Sequence, residues 1–204
     1  MLNKKTKIAV FVSGGGTNLQ AILESEKRGE IPDGEISLVI SNNPSAYALE
    51  RAKNFGVKAF CVDKSVYKTI EEREKKTVEV LEENGIELIV LAGYLSILSE
   101  NFTKKYEGRI INVHPSLIPS FCGKGYYGLK VHEEALKYGV KVTGATVHFV
   151  NEIPDGGKII MQKAVSVEDG DTPEVLQKRV MREAEWIILP LSVQKIAKLL
   201  KEKV

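Results

Sequence analysis

The sequence predicts an α/β fold: a mostly parallel sheet with helices on both faces and an antiparallel C-terminal edge. Three observations lead there. Apolar, β-branched runs recur through the first half of the chain, separated by stretches with helical spacing or helix-capping residues, which is the rhythm of βαβ units. The first run, residues 6–13, is apolar without alternation (Ile8, Ala9, Val10, Phe11, Val12), as expected of a strand covered on both faces. Later, two runs at 143–150 and 158–165 are joined by residues 151–157, a connection short enough for an antiparallel hairpin.

Composition bounds the rest. The 204 residues are 43% apolar and 27% charged, which suits one domain over residues 1–204. The formal charge of +2 comes from 29 basic and 27 acidic residues spread along the chain, so no electrostatic footprint for nucleic acid is expected. Small-molecule substrates are the expected partners, with the chain a monomer or a homodimer. Cys61 and Cys122 are far apart and the N-terminus lacks an apolar signal segment, which points to a cytoplasmic, reduced setting. No apolar run approaches the roughly 20 residues of a membrane span, so no membrane partner is expected. Neither the histidines nor the cysteines have metal-ligand spacing, so no metal is expected.

The first strand leads into Gly14-Gly15-Gly16-Thr17-Asn18, and Leu19 to Leu23 then open a helix. Such a turn is either simply tight or an anion cradle. Glycines let backbone N–H groups approach a phosphate, the helix N-terminus adds about half a positive charge, and Thr17 and Asn18 add side-chain donors. Leu19 departs from Gly-x-Gly-x-x-Gly, and no Gly-Lys-Thr follows, which disfavours a dinucleotide or nucleoside triphosphate. A strand at 36–41, a helix capped by Asn43 with Pro44 at its first position and closed by Gly56, and a strand at 57–62 come next. Residues 69–84 place Ile70, Thr77, Val78 and Leu81 at helical spacing, their charges forming a solvated face. Gly85 ends that helix. A buried strand at 86–92 then delivers Gly93, Tyr94, Leu95, Ser96, Ile97 and Leu98 to the sheet edge, an apolar wall suited to a flat heteroaromatic ligand.

In Ile110-Ile111-Asn112-Val113-His114-Pro115, Asn112 and His114 stand two residues apart, so in a strand both side chains leave one face. Pro115 and Pro119 stop the strand there, at the end where α/β sheets bind ligands. The pair either caps a loop or forms an amide donor for an oxyanion beside an imidazole that moves protons, a combination suited to attack on a carbonyl carbon. Residues 121–128, with glycines at 123, 125 and 128, read as a mobile loop over the site. A short helix at 129–138 carries His132 beside Glu133 and Glu134, as a surface or packing residue. His148 shares a strand face with Gly144 and Thr146 and is expected to support the site from behind. Asp155 in Pro-Asp-Gly is either a turn residue or a carboxylate beside His114 that raises the imidazole pKa and passes protons through water. The last helix starts at Asp171 or Thr172 with Pro173 at its first position, bends at Pro190, and is placed to lay Glu185 against the first glycine turn. Together these elements describe a single Rossmann-like domain.

The motifs Ser13-Gly14-Gly15-Gly16-Thr17-Asn18-Leu19-Gln20-Ala21, Leu91-Ala92-Gly93-Tyr94, Asn112-Val113-His114-Pro115-Ser116-Leu117-Ile118-Pro119 and Asp155-Gly156-Gly157, together with the stretch 144–150, closely resemble the folate-dependent phosphoribosylglycinamide formyltransferase family over essentially the whole chain. That resemblance implies transfer of a formyl group from 10-formyltetrahydrofolate, a co-substrate, to the amine of 5'-phosphoribosylglycinamide in purine synthesis. It matches Asn112, His114 and Asp155 to the catalytic set. Gly15, Gly16, Thr17 and Asn18 would hold the substrate phosphate and Glu185 its ribose hydroxyls. Leu95, Ser96, Ile97 and Leu98, with Asn112, would line the folate pocket, so the N-terminal half binds phosphate and the C-terminal half holds folate and the chemistry. Ser96 stands where the family usually has arginine and Trp186 where histidine often follows the glutamate; a basic folate contact is open among Lys64, Lys68 and Arg73. Formyltetrahydrofolate deformylase and methionyl-tRNA formyltransferase share the Asn-x-His-Pro-Ser core but carry further domains, for which 204 residues are expected to leave no room. A non-catalytic module binding a phosphoribosyl ligand is the remaining alternative, and it has no need of an imidazole.

Overall fold

The computed structural model describes residues 4–202 and contains a seven-stranded sheet of order β3-β2-β1-β4-β5-β6-β7. Strands β1 (Thr6–Val12), β2 (Gly34–Ser41), β3 (Lys58–Cys61), β4 (Leu88–Leu91) and β5 (Ile110–His114) pair in parallel. Strands β6 (Val142–Phe149) and β7 (Ile159–Ser166) complete the sheet as an antiparallel edge. The expected mostly parallel sheet with an antiparallel C-terminal end is thus present. Because β1 lies between β2 and β4, the chain winds outward in both directions from it, and the crevice beyond the carboxyl ends of β1 and β4 is the switch point where such sheets bind ligands.

Among the described residues seven α-helices cover the faces: α1 (Thr17–Lys27), α2 (Tyr47–Asn54), α3 (Ile70–Glu83), α4 (Glu100–Lys105), α5 (Leu129–Tyr138), α6 (Pro173–Val180) and α7 (Trp186–Lys201). Strand β1 shows why the cores divide as they do. Ile8, Val10 and Val12 point to one face and pack with Leu19, Ile22, Ala48, Leu176 and Ile188, from α1, α2, α6 and α7. Ala9 and Phe11 point to the other and meet Val80 and Leu81 of α3 and Phe102 of α4. All five β1 residues are fully buried, which accounts for the unbroken apolar run.

Several boundaries differ from expectation for identifiable reasons. Asn43 and Pro44 do not begin a helix: Asn43 Oδ1 accepts from the Ser45 N–H at 3.0 Å and its carbonyl from the Ala46 N–H at 3.1 Å, a local turn that delays α2 to Tyr47. Helix α3 opens with a capping box between Thr69 and Glu72; Thr77 and Leu81 are buried as expected, but Ile70 is half exposed and Val80 fills the core instead. The six-residue α4, capped by Ser99, was not anticipated, because one and a half turns carry too little periodicity to register. Thr172 rather than Asp171 caps α6, since Asp171 is bonded to Arg179. The last helix is interrupted not at Pro190, which lies inside α7, but at a π-helical turn, Met181–Glu185. A π turn inserts one extra residue and so rotates the helix beyond it; such turns occur often at functional sites.

Candidate active site

The β5–β6 pairing builds the centre of the site. Its register sets Asn112 opposite His148, so the two side chains meet across the strands on one face, with Asn112 Nδ2 3.2 Å from His148 Nε2. The His148 Nδ1–H donates to the Phe149 carbonyl at 2.7 Å, so that Nε2, in the tautomer this bond selects, is an acceptor for the NH2 of Asn112. Among the described residues the other N–H of that amide has no partner. His114 is 4% exposed; its Nε2–H donates to the Phe121 carbonyl at 2.8 Å, so its Nδ1 is the atom that takes up a proton.

Asp155 occupies the β6–β7 loop with left-handed backbone, φ 57°, a conformation that a short polar side chain tolerates. Gly157 explains how the loop folds so closely onto β6: a Cβ there would lie 1.8 Å from the Phe149 carbonyl oxygen. Asp155 Oδ2 accepts from the Gly123 N–H at 2.8 Å and stands 3.5 Å from His114 Nδ1, while Oδ1 is 3.5 Å from His148 Nε2. His148 Nε2 can serve only one neighbour at a time, and the shorter Asn112 contact is the resting arrangement. Burial pushes the Asp155 carboxyl up, but the Gly123 N–H and the histidines, wherever one of them carries a proton toward the carboxylate, pull it further down, so that the net direction is below the usual range. For His114 the balance corrects the sequence expectation: burial lowers its pKa, and Asp155, acting upward, offsets this only in part. The imidazole is therefore neutral at rest near neutral pH. It can accept a proton.

At the far end of the same crevice, Gly16 caps α1 with φ 72°, and the glycine turn is held by the Ala48 N–H on the Gly14 carbonyl (3.1 Å) and by Arg51 Nε on the Gly15 carbonyl (2.8 Å). From the first turn of α1 the buried Asn18 donates through Nδ2 to Glu185 Oε2 at 2.5 Å. Glu185 thus lies against the first glycine turn as expected, brought there by the π turn. Burial raises its pKa, opposed by the Asn18 bond.

A cleft of about 610 Å³ joins these groups; Asn18 and Glu185 line it together with Asn112, His114, Asp155, Leu95, Ser96 and Ile97. Not every expected residue faces it. Gly15 and Gly16 are not part of its lining, and Thr17 opens onto a neighbouring hollow of about 350 Å³ beside Trp186 and Arg51. His148 and Leu98 line an adjoining recess of about 140 Å³. Ser96 accepts from Asn42 Nδ2 at 2.7 Å, while Leu95 and Ile97 are exposed, an apolar rim. Of the basic candidates, Arg73 borders a crevice with Tyr94, Ser96, Ile97 and Leu98, its guanidinium donating to the carbonyls of Tyr67 and Lys68 at 3.0 and 2.9 Å. Lys64 and Lys68 border none of these spaces.

Residues 123–128 form one wall, and sequence reasoning missed what lies beneath them. His132, expected as a surface or packing residue, is fully buried and lines the cleft, as do Gln177 and Met181. Of the two readings left open beside the flanking glutamates, packing is the one the structure bears out; the place of His132 in the cleft lining is what the sequence did not signal. Burial brings its pKa down to about 4, and among the described residues neither ring nitrogen has a protein hydrogen-bond partner. No group of three or more His, Cys, Asp or Glu among the described residues could hold a metal ion. Among them, too, no helix is long and apolar enough to cross a membrane.

The family described as Formyl transferase matches residues 6–193. The chain is 40% identical over 188 residues to the phosphoribosylglycinamide formyltransferase of Haemophilus influenzae, covering 92% of this chain and 85% of that one. It is 45% identical over 193 residues to the trifunctional purine biosynthetic protein adenosine-3 of Gallus gallus, and there the match spans 95% of this chain but 18% of the larger protein. Among solved structures, glycinamide ribonucleotide transformylase 1 from Symbiobacterium toebii superposes with a TM-score of 0.89 at 40% identity, over 97% of this chain and 90% of that one.

Proposed function

Because the chain belongs to the formyl transferase family, and within it to the phosphoribosylglycinamide formyltransferases, we infer that it transfers a formyl group from 10-formyltetrahydrofolate to the amine of 5'-phosphoribosylglycinamide. One observation supports this above the others: a partly buried carboxylate, Asp155, stands 3.5 Å from His114 Nδ1, beside an asparagine amide that a second imidazole holds in orientation. Binding alone needs no such set.

The reaction forms one C–N bond and breaks another. The amine lone pair attacks the formyl carbon, and the carbonyl oxygen becomes an oxyanion that the other amide N–H of Asn112 stabilises. The attacking nitrogen loses a proton, the folate N10 gains one, and collapse of the oxyanion releases tetrahydrofolate and the formylated amide. Neutral His114 accepts the proton at Nδ1, where the Asp155 carboxylate stabilises the resulting cation and passes the proton on through water. His148 fixes the Asn112 amide. Asn18 and Glu185 hold the ribose and phosphate end, with the α1 N-terminus supplying partial positive charge, and the rim of Leu95, Ser96, Ile97 and Leu98 receives the pterin.

Following deformylation of a 10-formyl folate analogue with and without phosphoribosylglycinamide tests this reading. Turnover that requires the amine is expected. Amine-independent turnover would identify a hydrolase, and none at all a binding module. A related expectation concerns the loop at 121–128: it closes over bound ligands, so proteolytic cleavage at the exposed Lys124 should slow when substrate and folate analogue are both present. Cleavage at an unchanged rate would mean that the loop takes no part in binding.

A further inference from the structure

His132 is a polar side chain with nothing in the protein to bond. It sits on the buried face of α5 with Val131 and Ala135, is 0% exposed, and has no protein partner for Nδ1 or Nε2 among the described residues. Buried polar groups are nearly always satisfied, and an imidazole left with neither bond is a poor choice for mere packing when phenylalanine fills similar space. Its surroundings say where a partner would be. His132 belongs to the lining of the cleft that Asn18, Glu185, His114 and Asp155 share, near enough to His114 for the two imidazoles to repel if both were charged. It is not part of the recess lined by Leu98 and Val150.

We propose that His132 is a positioning residue for the substrate, its imidazole hydrogen-bonding the amide that joins the ribose to the glycyl amine, a role that rests on the function proposed above. The chemistry is complementary: a neutral imidazole offers one donor and one acceptor, and a secondary amide offers one acceptor and one donor. Burial keeps the ring uncharged, which suits a neutral amide and not a phosphate. Held at that amide, the substrate presents its amine to Asn112 and His114 at a fixed distance from the ribose.

The test compares His132→Phe, which keeps the ring volume without polar atoms, with His132→Gln, which keeps a donor and an acceptor. His132→Phe should raise KM for phosphoribosylglycinamide roughly tenfold or more, leave KM for the formyl donor unchanged, and melt no lower than the wild type. His132→Gln should recover part of the loss. A folded His132→Phe with wild-type KM would overturn the proposal, because packing, or a water as sole partner, then suffices. Should the phenylalanine variant not fold, the wild-type His132 ring nitrogens read by NMR decide: both resonances should move toward a single hydrogen-bonded tautomer on adding phosphoribosylglycinamide, and unmoved resonances would overturn it. Failure of the wild type itself to bind phosphoribosylglycinamide is a different result, which sinks the proposed function and this inference with it.

Discussion

Asp155→Asn should lower kcat by roughly 10²-fold or more with little change in KM for either substrate. The substitution spares the fold. Asparagine adopts the left-handed conformation found at this position, and its side-chain oxygen can still accept from the Gly123 N–H. What it loses is the charge opposite His114 Nδ1 and the capacity to relay a proton. If Asp155 were only the turn residue of Pro-Asp-Gly, asparagine would be nearly silent. The pH profile checks the assignment independently. His114 must be deprotonated to act as the base, so activity rises as pH passes its pKa, which burial already holds below the ordinary value against the upward pull of Asp155. Removing that pull lowers the pKa further, and the acidic limb should move to lower pH. Wild-type kcat with an unmoved limb would take Asp155 out of the mechanism and leave Asn112 and His114 to work with solvent.

The sheet was legible because its strands announce themselves singly: β1 by an unbroken apolar run, β5 by proline stops, β6 and β7 by the length of their connection. The catalytic set was legible for a related reason. Asn112 and His114 share a face by strand period alone; His148 comes opposite Asn112 only through the antiparallel β5–β6 pairing, whose register is set across α5 and its flanking loops. Asp155 was one of two open readings, since nothing in Pro-Asp-Gly tells a turn residue from a carboxylate folded back onto β5; the difference lies in Gly157, whose missing Cβ lets the loop close onto Phe149. Illegible features were those set by two distant segments at once. For His132, beside Glu133 and Glu134, the sequence leaves surface and packing both open, and the packing of α5 against α6 decides for burial. The direction of the His114 pKa shift likewise depends on how much protein surrounds the ring, a quantity that no local motif encodes. The π turn leaves no compositional mark, whereas Pro190 is plain in the sequence and lies inside α7.

Gly16→Val should weaken phosphoribosylglycinamide binding by roughly 10-fold to 10²-fold and lower the melting temperature, while affinity for a folate analogue stays nearly unchanged. Two physical causes act together. A β-branched residue at φ 72° is strained by about 1–2 kcal/mol. Its Cβ would also lie 2.6 Å from Ala48 Cβ and 2.9 Å from Ala48 Cα, so α2 or the glycine turn must move. The turn is the weaker party, tied down by the Ala48 N–H on Gly14 and by Arg51 on Gly15, and its displacement carries Asn18 away from Glu185. The proposed folate rim hangs instead from β4, where the Leu95 N–H donates to Ser13 Oγ at 2.8 Å and Ser96 is held by Asn42, bonds that do not involve Gly16. Calorimetry separates the outcomes. Equal loss of both ligands would mean a generally damaged fold and would remove the support for a cradle specific to the phosphate end. The double variant Gly16→Val/Ala48→Gly relieves the clash between the two Cβ atoms but leaves the strained φ and the close approach to the α2 backbone at position 48. It should therefore recover part of the melting temperature without restoring full substrate affinity.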